Sequence, residues 1–275
     1  MTSALHLPAR PAVPPARPLV SLLSSGARPF YAALAGALSL QGGPPLRFEE
    51  HEAALAQLLS GEAAVGAVCG LLYLRHRHRL DLLAAPVSWA SGHGGAPVYF
   101  SSIVVRRDAP WRTFAQLSGA RWAVNERASF SGWVALLAEL RRRGLPLAFL
   151  GEPTFTGSHL ASLERLRAGL ADASAVDSTV LDLAFARDPA LRRELRVVAR
   201  LGPYPAPPLV VHRDLPRPER ARLLAALTAL PGHELGRRAL ALGRTLRFVP
   251  VRGADYDPIL RAERLAAPLL GGLHA

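Results

Sequence analysis

The residues best suited to chemistry in this chain fall in three short turns, Ser24-Ser25-Gly26, Ser129-Phe130-Ser131-Gly132 and Gly157-Ser158-His159. Each follows an apolar run of strand length and opens a run with helical spacing. A helix start presents unpaired backbone N–H groups and the positive end of the dipole, which together favour an anion. Serine adds a neutral hydroxyl, and glycine allows close backbone approach. The chemistry on offer is therefore the holding of an oxyanion by many hydrogen bonds with little formal counter-charge. Serine also caps helices that bind nothing, so one such turn carries little and three together carry more. His159 can donate to an anion in either protonation state, and an unperturbed imidazole charges near neutrality.

The elements that must position these groups follow from periodicity. Leu160, Leu163, Leu166 and Leu170 recur at helical spacing, with Glu164, Arg165 and Arg167 opposite, so a helix runs from about 160 to 169. The strand Ala173 to Asp177 comes next. Asp177 at its end could repel excess negative charge, accept a ligand proton, bind an amine, or cap the following helix. Tyr73 at a helix start and Tyr99 at a crossing are either ordinary packing or rings that close a cleft and donate phenol protons.

Strands and helices alternate along the whole chain, which implies α/β architecture with parallel, doubly wound sheets and a ligand beyond the strand ends. Residues 1–17 read as a Pro-rich flexible tail, and the fold starts at Leu19. Further expectations are helices over Pro29–Leu40 and His51–Leu59 and strands over Ala148–Leu150 and Leu195–Leu201. The Gly/Ser loop Ser91–Gly95 and the Pro-rich passage Pro203–Pro208 read as an outward and a return crossing between two lobes. One lobe then takes 18–97 and 205–275, and the other takes 98–204.

Composition excludes several classes. The chain has 275 residues, 50% hydrophobic, enough for a large buried core. The net charge of +12 would suggest nucleic acid, but there is no lysine and the arginines are dispersed, so no nucleic-acid partner is expected. Cys69 is the only cysteine; it can form no internal disulfide or multi-cysteine metal site and reads as a small buried residue. His76 and His78 would point to different sides of a helix, so no metal and no cofactor is expected. No window reaches the roughly 18 apolar residues of a membrane span, so no membrane insertion is expected. The first residues lack the basic, apolar and small-residue regions of a secretory signal. A cytoplasmic location follows as written, with a periplasmic or extracellular one if the chain starts differently.

The set of motifs resembles the phosphate, phosphite and phosphonate solute-binding proteins of ABC transporters. The resemblance runs through Tyr99–Arg106, Ser129–Gly132, Phe155–His159, Asp172–Ser178, Pro208–Val211 and Asp255–Pro258, in that order from about Leu19 to Leu260. It implies a type II periplasmic-binding-protein fold: two α/β lobes, each a mainly parallel sheet flanked by helices, on a two-strand hinge. In that family the Ser-rich helix start and the His of the Gly-Ser-His motif hold the oxyanion, which carries over to Ser129, Ser131 and His159. A flanking tyrosine in each half maps to Tyr73 and Tyr99. With Gly132, Ser158, Asp177 and Ser25 these are the expected ligand-binding residues. Where the family commonly has Ser-Thr-Ser-Gly this chain has Phe130, which points to a different or bulkier ligand. The expected function is non-catalytic capture of a small oxyanion by a monomer, for an ABC permease or for sensing inside the cell. The alternatives are a cytosolic enzyme on the same scaffold, which lacks paired carboxylates, a usable cysteine and lysine, and a regulator's effector domain, which lacks an attached helix-turn-helix.

Overall fold

The computed structural model describes residues 15–40, 42–49, 53–89 and 92–271. Most of the expected tail, the first residue of the expected second helix, His51, and Ser91 of the crossing loop lie outside the described residues. The first sheet takes β1 (Arg17–Ser21), β2 (Leu46–Glu49), β3 (Val65–Ala67) and β4 (Leu80–Ser88), alternating with α1 (Arg28–Leu40), α2 (Ala54–Ser60) and α3 (Gly70–His76). The chain then builds a second sheet from β5 (Val98–Arg106), β6 (Trp122–Val124), β7 (Thr154–Phe155), β8 (Ala173–Asp177) and β9 (Leu195–Pro205). Its helices are α4 (Ala135–Arg142), α5 (His159–Arg167), α6 (Ser178–Arg187) and α7 (Pro189–Glu194). The return adds β10 (Leu209–His212), α8 (Arg217–Ala229), α9 (Glu234–Leu242) and β11 (Thr245–Val249) to the first sheet, and α10 (Asp257–Gly271) follows.

Strand order is β11-β4-β10-β3-β1-β2 in one sheet and β7-β6-β8-β5-β9 in the other. The strands that feed helix starts pair in parallel, β2 and β3 on β1, and β7 and β8 on β6. The strands that carry the chain between lobes pair antiparallel: β10 with β3 and β4, and β5 with β8 and β9. The sheets are thus mixed, because a chain that returns to its first lobe runs back against the strands already there.

Packing follows the apolar stripes. Leu34 and Leu38 of α1 meet Leu223 and Leu227 of α8 over one face of the first sheet. Leu163, Leu166 and Leu181 cover one face of the second. A third core is continuous between the lobes, joining Leu71 of α3, Ile259 of α10 and Leu137 of α4. Each fully buried leucine of this kind contributes about 1.5–3 kcal/mol.

Three local expectations differ from the structure. Ala148–Leu150 lies in a single 3₁₀ turn, Leu147–Leu150, and the edge strand falls later at Thr154–Phe155. Phe149 stacks on Phe114 at 5.3 Å, so this apolar run fills a core beneath a turn instead of joining the sheet. β9 continues four residues past Leu201 to Pro205, since it is an edge strand, where proline costs no ladder bond. The stripe of α5 is also rotated: His159, Ser162, Leu163 and Leu166 are buried, whereas Leu160 is half-buried and Leu170 is 56% exposed.

Candidate functional site

The three Ser/Gly turns converge on one cleft of about 470 Å³ between the lobes. β6 positions two of them. Asn125, just beyond that strand, accepts from the Gly157 N–H at 2.8 Å through its backbone carbonyl. Its side chain lies under Gly132, where a Cβ would come within 1.8 Å of Asn125 Oδ1 and 3.2 Å of His159 Cε1. Gly132 is therefore glycine to admit Asn125 and His159, which corrects the expectation that it admits a ligand. Gly157 is glycine for a different reason, its φ of +81°.

The Ser129 hydroxyl accepts from the Gly132 N–H at 3.1 Å and caps the helix start. The first turn is a wide one, with Val134 N–H bonding Ser129 O five residues back, a distortion common at functional sites. The buried Ser101 hydroxyl donates to Ser131 O at 2.6 Å and pins this turn to β5. Ser158 caps α5 by accepting from the Ala161 N–H at 3.1 Å. His159, 7% exposed, sets Nε2 3.2 Å from Ser131 Oγ, so the two turns of the second lobe are joined side chain to side chain. Burial lowers the His159 pKa to about 4, so the ring is neutral at physiological pH.

Asp177 is buried, lines the cleft, and caps α6. Its Oδ1 accepts from Thr179 N–H at 2.7 Å, Thr179 Oγ1 at 2.6 Å and Val180 N–H at 3.4 Å. Burial pushes its pKa up against those bonds. Of the alternatives open for Asp177, capping is thus realised, and the carboxyl still faces the cleft. Among the described lining residues the charged groups are Asp177 and Glu126, and no arginine is present. Three buried polar atoms on this cleft have no protein partner: Ser24 Oγ, Asn125 Oδ1 and His159 Nδ1. Buried orphans are rare and each calls for an explanation.

Ser25, Ser129, Ser131, Ser158, His159, Tyr99 and Asp177 all line the cleft, and Gly132 stands behind it. Tyr73 does not: it is 7% exposed and packs edge-on at 5.4 Å against Tyr256, in the 3₁₀ turn Gly253–Tyr256 before α10. Leu72, about 100° around the helix, faces the cleft instead. The tyrosine that the first lobe supplies to the cleft is Tyr31 of α1, whose buried phenol is pushed up by desolvation and by Asp177. Phe130 also points away, fully buried with its ring 4.7 Å from that of Tyr204 at 85°. It fills the core and takes nothing from the cleft, so its presence says nothing about a bulkier ligand. Cys69 is half-buried and lines the cleft, where desolvation pushes its thiol up. Asn125 and Tyr31 were not among the expected site residues, and Ser24 was singled out only as part of its turn; a polar side chain at the end of an apolar strand was the available signal for Asn125.

No group of three His, Cys, Asp or Glu suited to a metal occurs among the described residues. No helix among them is long and apolar enough to cross a membrane.

Two α/β lobes, helix starts converging on the cleft between them and buried polar atoms left unpaired beside it define a solute-binding protein. The model of the family described as ABC transporter, phosphonate, periplasmic substrate-binding protein matches residues 31–256, and the chain belongs to that family. Among solved structures it is similar to PhnD1 from Prochlorococcus marinus in complex with methylphosphonate, at 16% identity and TM-score 0.78, over 90% of this chain and 97% of that one. It is also similar to a binding component of an ABC phosphonate transporter from Pseudomonas aeruginosa, at 16% identity and TM-score 0.77, over 92% and 87%. A Xanthomonas citri protein bound to ATP matches at 19% identity and TM-score 0.67, over 93% and 98%. No curated protein matches the sequence. At these identities the structural likeness establishes the two-lobed fold.

Proposed function

We propose that the chain captures a small tetrahedral oxyanion of the phosphonate, phosphite or phosphate class by lobe closure and passes it to an ABC permease. The observation that carries this is the pair of orphaned atoms able to donate, Ser24 Oγ and His159 Nδ1, around one cleft at the start of α5 and the wide turn before α4. They and the hydroxyls of Ser25, Ser129 and Ser131 offer uncharged donors to an anion, beside the carboxyl groups of Asp177 and Glu126. The methylphosphonate in the Prochlorococcus protein supports that ligand class. The lobes are taken as 18–97 with 205–275 and 98–204, a division that the membership of the two sheets supports. Family membership supports periplasmic uptake over sensing inside the cell.

The role is binding without turnover. Ser131 and His159 form a serine-histidine pair, but His159 Nδ1 has no carboxylate to orient it. A ring with a pKa of about 4 is a poor base for a serine near neutrality. Isothermal titration with phosphate, phosphite, methylphosphonate, 2-aminoethylphosphonate and ATP tests the proposal. Binding of at least one of the first four is expected, with loss of tenfold or more in Ser131→Ala and His159→Gln at roughly one strong hydrogen bond each. Folded protein that binds only ATP, or none of the five, overturns it.

A further inference from the structure

Tyr31 borders two spaces. Beyond it lies a second cavity of about 240 Å³, and its wall shares Leu23, Ser24, Ala27, Tyr31, Val180 and Pro207 with the oxyanion cleft. The two spaces are therefore adjoining parts of one gap between the lobes. Their chemistry differs. Hydroxyls and His159 cluster on the second-lobe wall of the cleft, whereas the second cavity is walled mostly by apolar side chains, Phe30, Leu160, Leu183, Ala184 and Leu191 among them, with Glu164, Arg187 and Asp188 as its charged residues. The half-buried Leu160, rotated out of the core stripe of α5, is one of these walls.

The lobes are bridged at the rim of this cavity. Arg187 of α6, which lines it, donates to Gly26 O across the lobes. Arg244, between the lining residues Gly243 and Thr245, forms an ion pair with Asp182 of α6 at 2.9 Å. Protein interiors are close-packed, so an apolar space kept between bridged lobes is one that a ligand group can fill. We propose that the natural ligand is an oxyanion carrying an apolar substituent of several carbons. Its head sits among the helix starts, and its tail runs past Tyr31 into the second cavity. This rests on the oxyanion assignment of the cleft and adds the substituent.

Isothermal titration of the full chain with methyl-, butyl- and octylphosphonate tests it. Burying a methylene is expected to tighten binding about fourfold, so butylphosphonate binds at least tenfold tighter than methylphosphonate. Leu183→Trp fills the second cavity without touching the cleft, and Leu183→Asn makes its wall polar. Either variant is expected to erase the chain-length gain and leave methylphosphonate binding within about twofold. Methylphosphonate binding as tightly as butylphosphonate overturns the inference and leaves the oxyanion assignment standing. Folded protein that binds phosphate or phosphite but none of the three overturns the inference alone, and folded protein that binds none of these oxyanions overturns both. Should both variants fail to fold, the series on the parent chain decides.

Discussion

Replacing Gly132 by alanine places a methyl group where the structure has no room for one. The new Cβ would lie 1.8 Å from Asn125 Oδ1, 2.8 Å from Asn125 Cγ and 3.2 Å from His159 Cε1. Neither neighbour can yield cheaply, since Asn125 and His159 are 6% and 7% exposed. Overpacking a filled site costs roughly 1–3 kcal/mol, which for a chain of this size lowers the melting temperature by roughly 2–12 °C. The displaced Asn125 and His159 lose their alignment with the cleft, and two hydrogen bonds at about 1 kcal/mol each correspond to a loss of roughly 30-fold in oxyanion affinity. Thermal melts and isothermal titration read the two effects. The cause is checked by the double variant: Asn125→Ala removes the clashing amide, so Gly132→Ala with Asn125→Ala melts higher than the sum of the single effects predicts, by at least ~1 kcal/mol of coupling. A Gly132→Ala protein that melts and binds like the parent, or additive effects in the cycle, would refute the account of this glycine.

Other outcomes follow from particular side chains. His159 has its folded pKa lowered to about 4 against 6.5 unfolded, so as pH falls the unfolded state takes up the proton first. Stability is then full above about pH 6.5 and declines towards pH 4 by up to about 3 kcal/mol; urea unfolding at pH 7.5 and 4.5 should show that His159→Gln lacks this part of the decline. Tyr73→Phe is expected to leave oxyanion affinity within about twofold, whereas Tyr31→Ala lowers it; the opposite order by titration would return Tyr73 to the site. Phe130→Thr should destabilise by about 3–5 kcal/mol through loss of a buried ring and leave ligand preference unchanged. A changed preference in folded Phe130→Thr protein would mean that this ring reaches the cleft after all.

Much of this site was legible because its signals are local. A serine before a helix caps it wherever the helix packs, so Ser129 and Ser158 could be placed from their neighbours in sequence. Order of strands and helices likewise exposed the two-lobed alternation. Side-chain direction was not legible, because it is settled by tertiary packing. Tyr73 and Leu72 are adjacent, yet one turns to Tyr256, in the turn just before α10, and the other to the cleft. Phe130 sits between two cleft-lining serines and points into the core against Tyr204, which belongs to a strand more than seventy residues away in the chain. Asn125 gave only the weak signal of a polar residue ending an apolar strand; its role arises where β6 brings two turns together.

The most direct measurement is a structure of the chain crystallised with methylphosphonate. The account predicts the phosphonate oxygens within hydrogen-bond distance, about 2.7–3.2 Å, of His159 Nδ1 and of the Ser129–Ser131 turn, with Ser24 Oγ closing from the first lobe. Phosphonate bound elsewhere, such as in the arginine-lined pocket of Arg107, Arg192 and Arg196, with His159 Nδ1 still unpartnered, would contradict it.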